Sequence, residues 1–209
     1  IIKAIQSNIE KREEGKAVRI ARYSDRPDWV GKNLLQIAEK ENKSVLDIVL
    51  KITRQGGASV VNFSMNEADV RQIMKIDWVA TASDGRAYLP GSDRPHPRNY
   101  GTFPRKLSYY ALQQKVIPLE HAVRSMTGLP ADILGLKDRG YLRKGAYADI
   151  VVFDTRTLID KATFDNPHQY SEGIRYLFVN GSPAINAGFP TGSLAGKALR
   201  HQTAAKKEK

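Results

Sequence analysis

Residues 44–83 alternate between amphipathic helical stretches and short apolar runs, and this alternation most constrains the fold. The helical stretches cover 44–55 and 67–75, and the apolar runs cover 58–63 and 78–82. A helix–strand–helix–strand order is typical of parallel strands joined by crossover helices. We therefore expect an α/β fold with parallel strands in this part of the chain.

Short local signals mark where several of these elements begin. Ser44 and Asp47 have the spacing of a capping box, with Asp in place of Glu or Gln, and Asn66 can cap the helix that follows it. Pro118 suits the first position of a helix over 119–126. Upstream, the alternating residues 18–21 predict a short strand.

From about residue 137 the sequence changes to short strands punctuated by glycine. The strands are predicted at 148–153 and 174–179, with hairpin-like connections. We expect a domain boundary near residue 136, with residues 1–136 in one domain and 137–200 in a small β-rich one. Two to four strands need a partner sheet to be stable. Residues 201–209, rich in lysine, are expected to form a basic tail.

The chain contains no cysteine, which excludes disulfides, Cys-ligated zinc and thiol catalysis by its own residues. This is compatible with a reducing compartment, so we expect a cytoplasmic protein. No apolar stretch approaches the ~20 residues that a membrane span needs, and we expect no membrane partner. The chain begins with Ile and carries no leader pattern, which is typical of a cut point or a processed end.

The net charge of +11 (33 basic and 22 acidic residues) leaves two interpretations open. One is a basic fragment that binds nucleic acid or another acidic partner without catalysis. The other is a protein whose surface happens to be basic. The basic residues are scattered along the chain and no basic helix face is interleaved with aromatic residues, so we expect no specific nucleic-acid partner.

The segment with the strongest functional signal is 81–105, which follows the apolar run at 78–82. The run ends in Ser83-Asp84-Gly85, so a strand there would present the Asp84 carboxylate at its C-terminal end, with Gly85 easing the turn. That position often carries metal-assisted or acid–base chemistry. The alternative is an ordinary turn or capping aspartate, a common role for Asp before Gly.

Several strings resemble the C-terminal part of the D-aminoacylases (N-acyl-D-amino-acid deacylases) of the amidohydrolase superfamily, in order and spacing from about residue 30 to 200. The most selective are the His-Pro-Arg-x-Tyr-Gly-Thr-Phe-Pro-Arg string at 96–105 and the Pro-His-Gln string at 167–169. The others are Ser-Asp-Gly at 83–85, Met-Thr-Gly-Leu-Pro-Ala at 126–131, the segment 135–140, Gly-x-x-Ala-Asp-Ile-Val-Val-Phe-Asp at 145–154, and Val-Asn-Gly at 179–181.

The resemblance implies the C-terminal part of a metal-dependent (β/α)8 barrel, followed by the C-terminal strands of a small β-sandwich. Residues 58–63 and 78–83 would be its seventh and eighth barrel strands. It also implies zinc-dependent hydrolysis of the amide bond of an N-acyl-D-amino acid. Another amidohydrolase of the same superfamily, acting on a different amide, stays open as an alternative.

The resemblance also implies roles for individual residues. Asp84 would accept the proton of the metal-bound water and pass it to the leaving nitrogen, and it is the candidate contact to a second metal. Arg98 would bind the substrate's α-carboxylate, a task for which a guanidinium is well suited. His96, Met65 and Ser83 would contact the substrate, and Ser83 would also shape the turn. Tyr100 is expected to hold the loop, and His168 is expected to be structural.

One departure from the family limits what these residues can do alone. In the family, His and Cys residues of the first six strands hold the metal, including a His-x-His pair. This chain has four histidines, His96, His121, His168 and His201, and no His-x-His. A full barrel needs ~200 residues or more. We therefore expect the main zinc ligands, and the N-terminal half of the barrel, to come from outside this chain.

Overall fold

The computed structural model describes residues 1–87 and 89–200 and confirms an α/β fold. The predicted basic tail at 201–209, with His201, lies outside the described residues. The helices are α1 Ile2–Glu10, α2 Leu34–Glu41, α3 Val45–Arg54, α4 Glu67–Met74, α5 Arg98–Arg105, α6 Leu119–Met126 and α7 Gly128–Leu134, with a π-helix at Lys106–Gln113. The strands are β1 Val18–Arg22, β2 Ser59–Asn62, β3 Ile150–Phe153, β4 Ile174–Val179, β5 Ser182–Asn186 and β6 Phe189–Pro190.

The chain divides into two compact units that interleave in sequence. The described parts of 1–70, 84–100 and 162–169 form the first unit, and those of 71–83, 101–161 and 170–200 form the second. The prediction divides the chain at a single point, into barrel residues 1–136 and sandwich residues 137–200. The two compact units do not test that division, which stays a prediction. No helix among the described residues is long and apolar enough to cross a membrane.

The first unit has a core built around Trp29, which is fully buried. Ile20 of β1, Ile37 of α2 and Ile48 of α3 pack in the same cluster. Burying each such side chain contributes roughly 1.5–3 kcal/mol, so the helix pair α2–α3 and the strand β1 stabilise one another.

The predicted caps are confirmed in both helices that they begin. The Ser44 hydroxyl accepts a hydrogen bond from the backbone N–H of Asp47 at 3.1 Å, at the start of α3. The Asn66 side chain accepts one from the backbone N–H of Ala68 at 2.7 Å, at the start of α4. Pro118 lies one position earlier than expected, at the N-cap of α6.

The predicted parallel pairing of the 58–63 strand is wrong in the described structure. The strand forms as β2, but it pairs antiparallel with β1, with Val61 opposite Arg19 and Val60 opposite Ile20. A strand takes the direction of whichever neighbour can satisfy its backbone groups. Here that neighbour is β1, which the alternation in 44–83 does not include.

The predicted strand at 78–82 is also wrong, because this segment has no regular structure. Its backbone is satisfied by a helix instead, since the N–H of Thr81 donates to the carbonyl of Ser125 in α6 at 2.8 Å. The buried Lys106 donates to the Thr81 hydroxyl at 2.6 Å and holds the same point. An apolar run becomes a strand only where another strand lies beside it.

The second unit contains a four-stranded antiparallel sheet in the order β3-β4-β5-β6. Its strands confirm the prediction that the chain after residue 137 is rich in β-strands. A separate apolar cluster in this unit joins Leu107 and Ala111 of the π-helix to Ala122 of α6 and to Leu158.

Candidate functional site

Asp84 follows the irregular segment 78–83, and residues 83–87 continue without a turn or a bend. Asp84 has a φ of +47°, in the left-handed region, and Gly85 does not. The predicted Ser-Asp-Gly turn does not form, and the unusual backbone conformation falls on Asp84, which Asp tolerates better than most residues. The Asp84 side chain is 83% exposed, and its Oδ2 lies 2.8 Å from Nη2 of Arg98.

Gly85 has a different role from the one expected, because it allows a close approach to the start of α5. A Cβ on Gly85 would come within 3.1 Å of the Asn99 Cα and of its Oδ1, closer than nearly all real contacts of this kind. The Asn99 Oδ1 also accepts a hydrogen bond from the backbone N–H of Arg86 at 2.9 Å. These contacts and the ion pair between Asp84 and Arg98 hold residues 84–86 against the first residues of α5.

His96 lies immediately before α5 and joins this arrangement through its ring. Its Nδ1 accepts a hydrogen bond from the backbone N–H of Arg98 at 3.0 Å. Burial lowers the pKa of His96 from its ordinary value of 6.5, the Arg98 charge lowers it further, and Asp84 opposes the shift. The neutral ring, with Nδ1 as an acceptor, is therefore the favoured form beside the guanidinium.

An aromatic cluster joins His96 to Phe164 and Phe63. The His96 ring meets the ring of Phe164 edge-on at 5.0 Å between centroids, and Phe164 packs against Phe63 at 4.7 Å. The Arg19 guanidinium lies 5.9 Å from the Phe63 ring. Phe164 lies 68 positions from His96, and no spacing in the sequence predicted that these rings would meet.

The other two predicted pocket residues, Met65 and Ser83, are not joined to the group of Asp84, Arg98 and His96 by any contact described above. Met65 follows β2 with 75% of its surface exposed, and no hydrogen bond or ring contact among the described residues joins it to Asp84, His96 or Arg98. Ser83 is half-buried and precedes Asp84 in the chain. The structure therefore brings Asp84, Arg98 and His96 together, and the pocket roles of Met65 and Ser83 stay predictions.

A second set of contacts links the loop before α5 to the Pro-His-Gln string. The Nδ1 of His168 lies 2.9 Å from the Tyr100 hydroxyl. Its Nε2 lies 2.9 Å from the carbonyl oxygen of Asp93 and 3.1 Å from the Asp93 carboxylate. The side chains of His168 and Asp93 are only 12% and 15% exposed. Tyr100 does hold the loop, and His168 is the partner that sequence reasoning missed.

The described residues do not form a complete metal site. No group of three or more His, Cys, Asp or Glu side chains comes together among them in a way that would hold an ion. The Asp84 carboxylate is an oxygen ligand of a type that zinc accepts, but it is ion-paired with Arg98, and among the described residues it belongs to no group of three metal-binding side chains. A zinc ion at Asp84 would need ligands from elsewhere.

Comparison with known proteins places these residues in a known group. The sequence profile described as "Amidohydrolase family" matches residues 48–185. The chain is 41% identical over 178 residues to "D-aminoacylase" of Alcaligenes xylosoxydans xylosoxydans, covering 85% of this chain and 36% of that protein. It is 38% identical over 191 residues to "N-acyl-D-glutamate deacylase" of the same organism, covering 91% of this chain and 38% of that protein.

A solved structure gives the same match in three dimensions. N-acyl-D-glutamate deacylase from Bordetella bronchiseptica, in complex with zinc and a phosphonate mimic of the tetrahedral intermediate, superposes with a TM-score of 0.75 at 36% identity. The match covers 87% of this chain and 38% of that one. The chain thus spans little more than a third of the length of the relatives that it matches.

Proposed function

Because the chain belongs to the amidohydrolase family and matches part of a larger α/β barrel enzyme, we propose that it is the C-terminal part of a zinc-dependent N-acyl-D-amino-acid deacylase. We call the complete enzyme the protein in which residues 1–209 are joined by the rest of the barrel. The observation that carries the proposal is the ion pair of Asp84 with Arg98, set in a sequence about 40% identical to deacylases of this substrate class.

The proposal assigns the metal to residues outside this chain. The relatives' zinc supports the choice of metal, and the absence of cysteine supports the cytoplasmic location that we propose. We propose the rest of the barrel as the partner of this chain. We propose neither a membrane nor a specific nucleic acid as a partner. The zinc would make the attacking water more acidic.

Asp84 and Arg98 divide the remaining work. In the proposed reaction a carboxylate oxygen of Asp84 takes the proton of the attacking water and delivers it to the departing amide nitrogen. Arg98 binds the α-carboxylate of the substrate with paired N–H donors. Asp84 contacts Arg98 through the guanidinium nitrogen Nη2 in this structure. In the proposed reaction the substrate carboxylate takes over this contact, which frees the Asp84 carboxylate for proton transfer.

The test is Asp84→Asn in the complete enzyme, with zinc content measured beside the kinetics. We expect kcat on an N-acyl-D-amino acid to fall by about 10²–10⁴-fold, the usual contribution of a positioned acid–base group. We expect KM to stay the same or decrease, because the variant no longer competes for Arg98. The matched control is Asp69→Asn, at an exposed carboxylate on α4.

Full activity of Asp84→Asn would contradict the proton-transfer role. Loss of zinc from the variant would instead assign Asp84 to metal binding. An unaltered enzyme that hydrolyses another amide and no N-acyl-D-amino acid would favour the alternative, a different amidohydrolase of the same family.

A further inference from the structure

We infer that His168 is a positioning residue for the carboxylate-binding Arg98. The imidazole of His168 joins Asp93 to Tyr100 and so fixes both ends of the segment 93–100, which carries Arg98. This inference rests on the proposed function, because Arg98 is the group that is positioned.

The hydrogen-bond partners of His168 determine how its ring is used. Nε2 faces two oxygens of Asp93, the carbonyl at 2.9 Å and the carboxylate at 3.1 Å, so Nε2 carries a proton and donates it. In the neutral ring Nδ1 is then an acceptor, and the Tyr100 hydroxyl donates to it at 2.9 Å. The His168 ring therefore makes one hydrogen bond through each nitrogen, and a side chain that makes only one of the two would break the link between Asp93 and Tyr100.

These contacts limit the movement of Arg98 because the segment between them is short and internally bonded. Within it the N–H of Asn99 donates to the carbonyl of His96 at 3.2 Å, and the N–H of Tyr100 donates to that of Pro97 at 3.0 Å. Arg98 lies within this bonded segment, and its own backbone N–H donates to Nδ1 of His96. A guanidinium that must meet a carboxylate with paired bonds depends on such backbone placement.

Low exposure makes the link stiff enough for this role. The side chains of His168 and Asp93 are 12% and 15% exposed, so water competes weakly for their hydrogen bonds. The Tyr100 ring also meets the His168 ring edge-on at 5.7 Å. By contrast the ion pair between Arg98 and Asp84 is exposed, with 43% and 83% of the two side chains open to solvent. The part-buried link through His168, and not the exposed ion pair, fixes the position of the Arg98 backbone.

Each half of the link can be removed separately in the complete enzyme. Tyr100→Phe removes the hydroxyl contact and keeps the packed ring. His168→Gln keeps a donor near the Nε2 position for Asp93, and His168→Asn keeps an acceptor near the Nδ1 position for Tyr100. The matched control is Tyr141→Phe, which removes a comparable hydroxyl bond to Asp132 at 2.6 Å in the other unit.

We expect Tyr100→Phe and His168→Gln each to raise KM for an N-acyl-D-amino acid about tenfold, with kcat changed less than about twofold. A substrate analogue that lacks the carboxylate should show no such effect. The double variant should raise KM no further than either single change, because both break the same link. Tyr141→Phe should leave KM unchanged. In parallel, hydrogen exchange at the amides of Arg86 and Arg98 should become faster in the first two variants.

The outcomes separate this inference from the proposed function. An unchanged KM, an equal effect on the analogue without the carboxylate, or additive effects in the double variant would overturn the inference and leave the deacylase proposal standing. If the unaltered enzyme hydrolyses no N-acyl-D-amino acid, the proposed function fails. Hydrogen exchange then decides the inference, and unchanged exchange at Arg98 in Tyr100→Phe overturns it.

Discussion

At the scale of single residues, the ion pair joins Asp84, the proposed proton-transfer group, to Arg98, the proposed binding group for the substrate carboxylate. Both side chains are exposed to solvent, Arg98 by 43% and Asp84 by 83%, and an exposed ion pair of this kind contributes only about 0–1 kcal/mol. A carboxylate held by two charge-assisted hydrogen bonds gains more than that. Exchange of Asp84 for a substrate carboxylate is therefore energetically accessible.

The exchange predicts how Arg98→Lys behaves in the complete enzyme. Lysine keeps the charge but loses the paired planar donors, so we expect KM for an N-acyl-D-amino acid to rise about tenfold to a hundredfold, with a small change in kcat. Steady-state kinetics with and without the substrate carboxylate checks this. Arg156→Lys, at an exposed arginine paired with Asp154, is the control. An unchanged KM would remove Arg98 from the binding site.

Residue-level features were predictable from sequence where their causes are local. The caps at Ser44 and Asn66 depend on neighbours within a few positions, and both formed. The contact of Tyr100 with His168 joins residues 68 positions apart. Neither residue type nor spacing identifies such a partner, because only the folded chain brings them together.

At the scale of secondary-structure elements, the same distinction separates the helices from the strands. The predicted helices at 44–55 and 67–75 formed, since a helix satisfies its own backbone. The two apolar runs depended on neighbours: the run at 58–63 paired with β1, and the run at 78–82 bonded to α6. Sequence patterns predict which segments are apolar, but the pairing of strands is decided by what lies beside them.

One element can be tested through the acid stability of the first unit. Glu41, at the end of α2, accepts hydrogen bonds from Arg26 at 2.6 Å and from the indole of the buried Trp29 at 3.3 Å. The Arg26 contact is the main cause that lowers the pKa of Glu41 from 4.5 to about 2. This contribution to stability is present above pH 4.5 and is lost as the pH falls toward 2.

We therefore expect Glu41→Gln to lower the melting temperature at pH 7. The difference in melting temperature between the variant and the unaltered protein should shrink as the pH approaches 2. Thermal unfolding followed by circular dichroism between pH 7 and pH 2 measures this. Glu39→Gln, at an exposed glutamate of the same helix, should have little effect at any pH. A constant difference between Glu41→Gln and the unaltered protein across the range would show that the ionised carboxylate is not what stabilises the unit.

At the scale of the whole molecule, each unit carries apolar side chains that its own residues leave exposed. In the first unit Met65 and Leu89 are 75% and 89% exposed, and in the second Trp78 is 75% exposed. The strand β3 also lies at the edge of its sheet. Single exposed apolar residues are ordinary, but several large ones and a strand edge without a partner each favour association.

We therefore expect residues 1–209, expressed without the rest of the proposed barrel, to dimerise or aggregate at micromolar concentration. Sedimentation velocity over a concentration series measures this, and Trp78→Ser with Leu89→Ser should shift the distribution toward monomer. Replacing Tyr170, which is 73% exposed, with Ser tests whether loss of any large exposed ring has the same effect. A monomer that melts in one cooperative step would show instead that the chain covers its own apolar surface well enough. The association is expected because the relatives supply nearly two thirds of their length from residues that this chain does not match, and those residues would cover the exposed side chains.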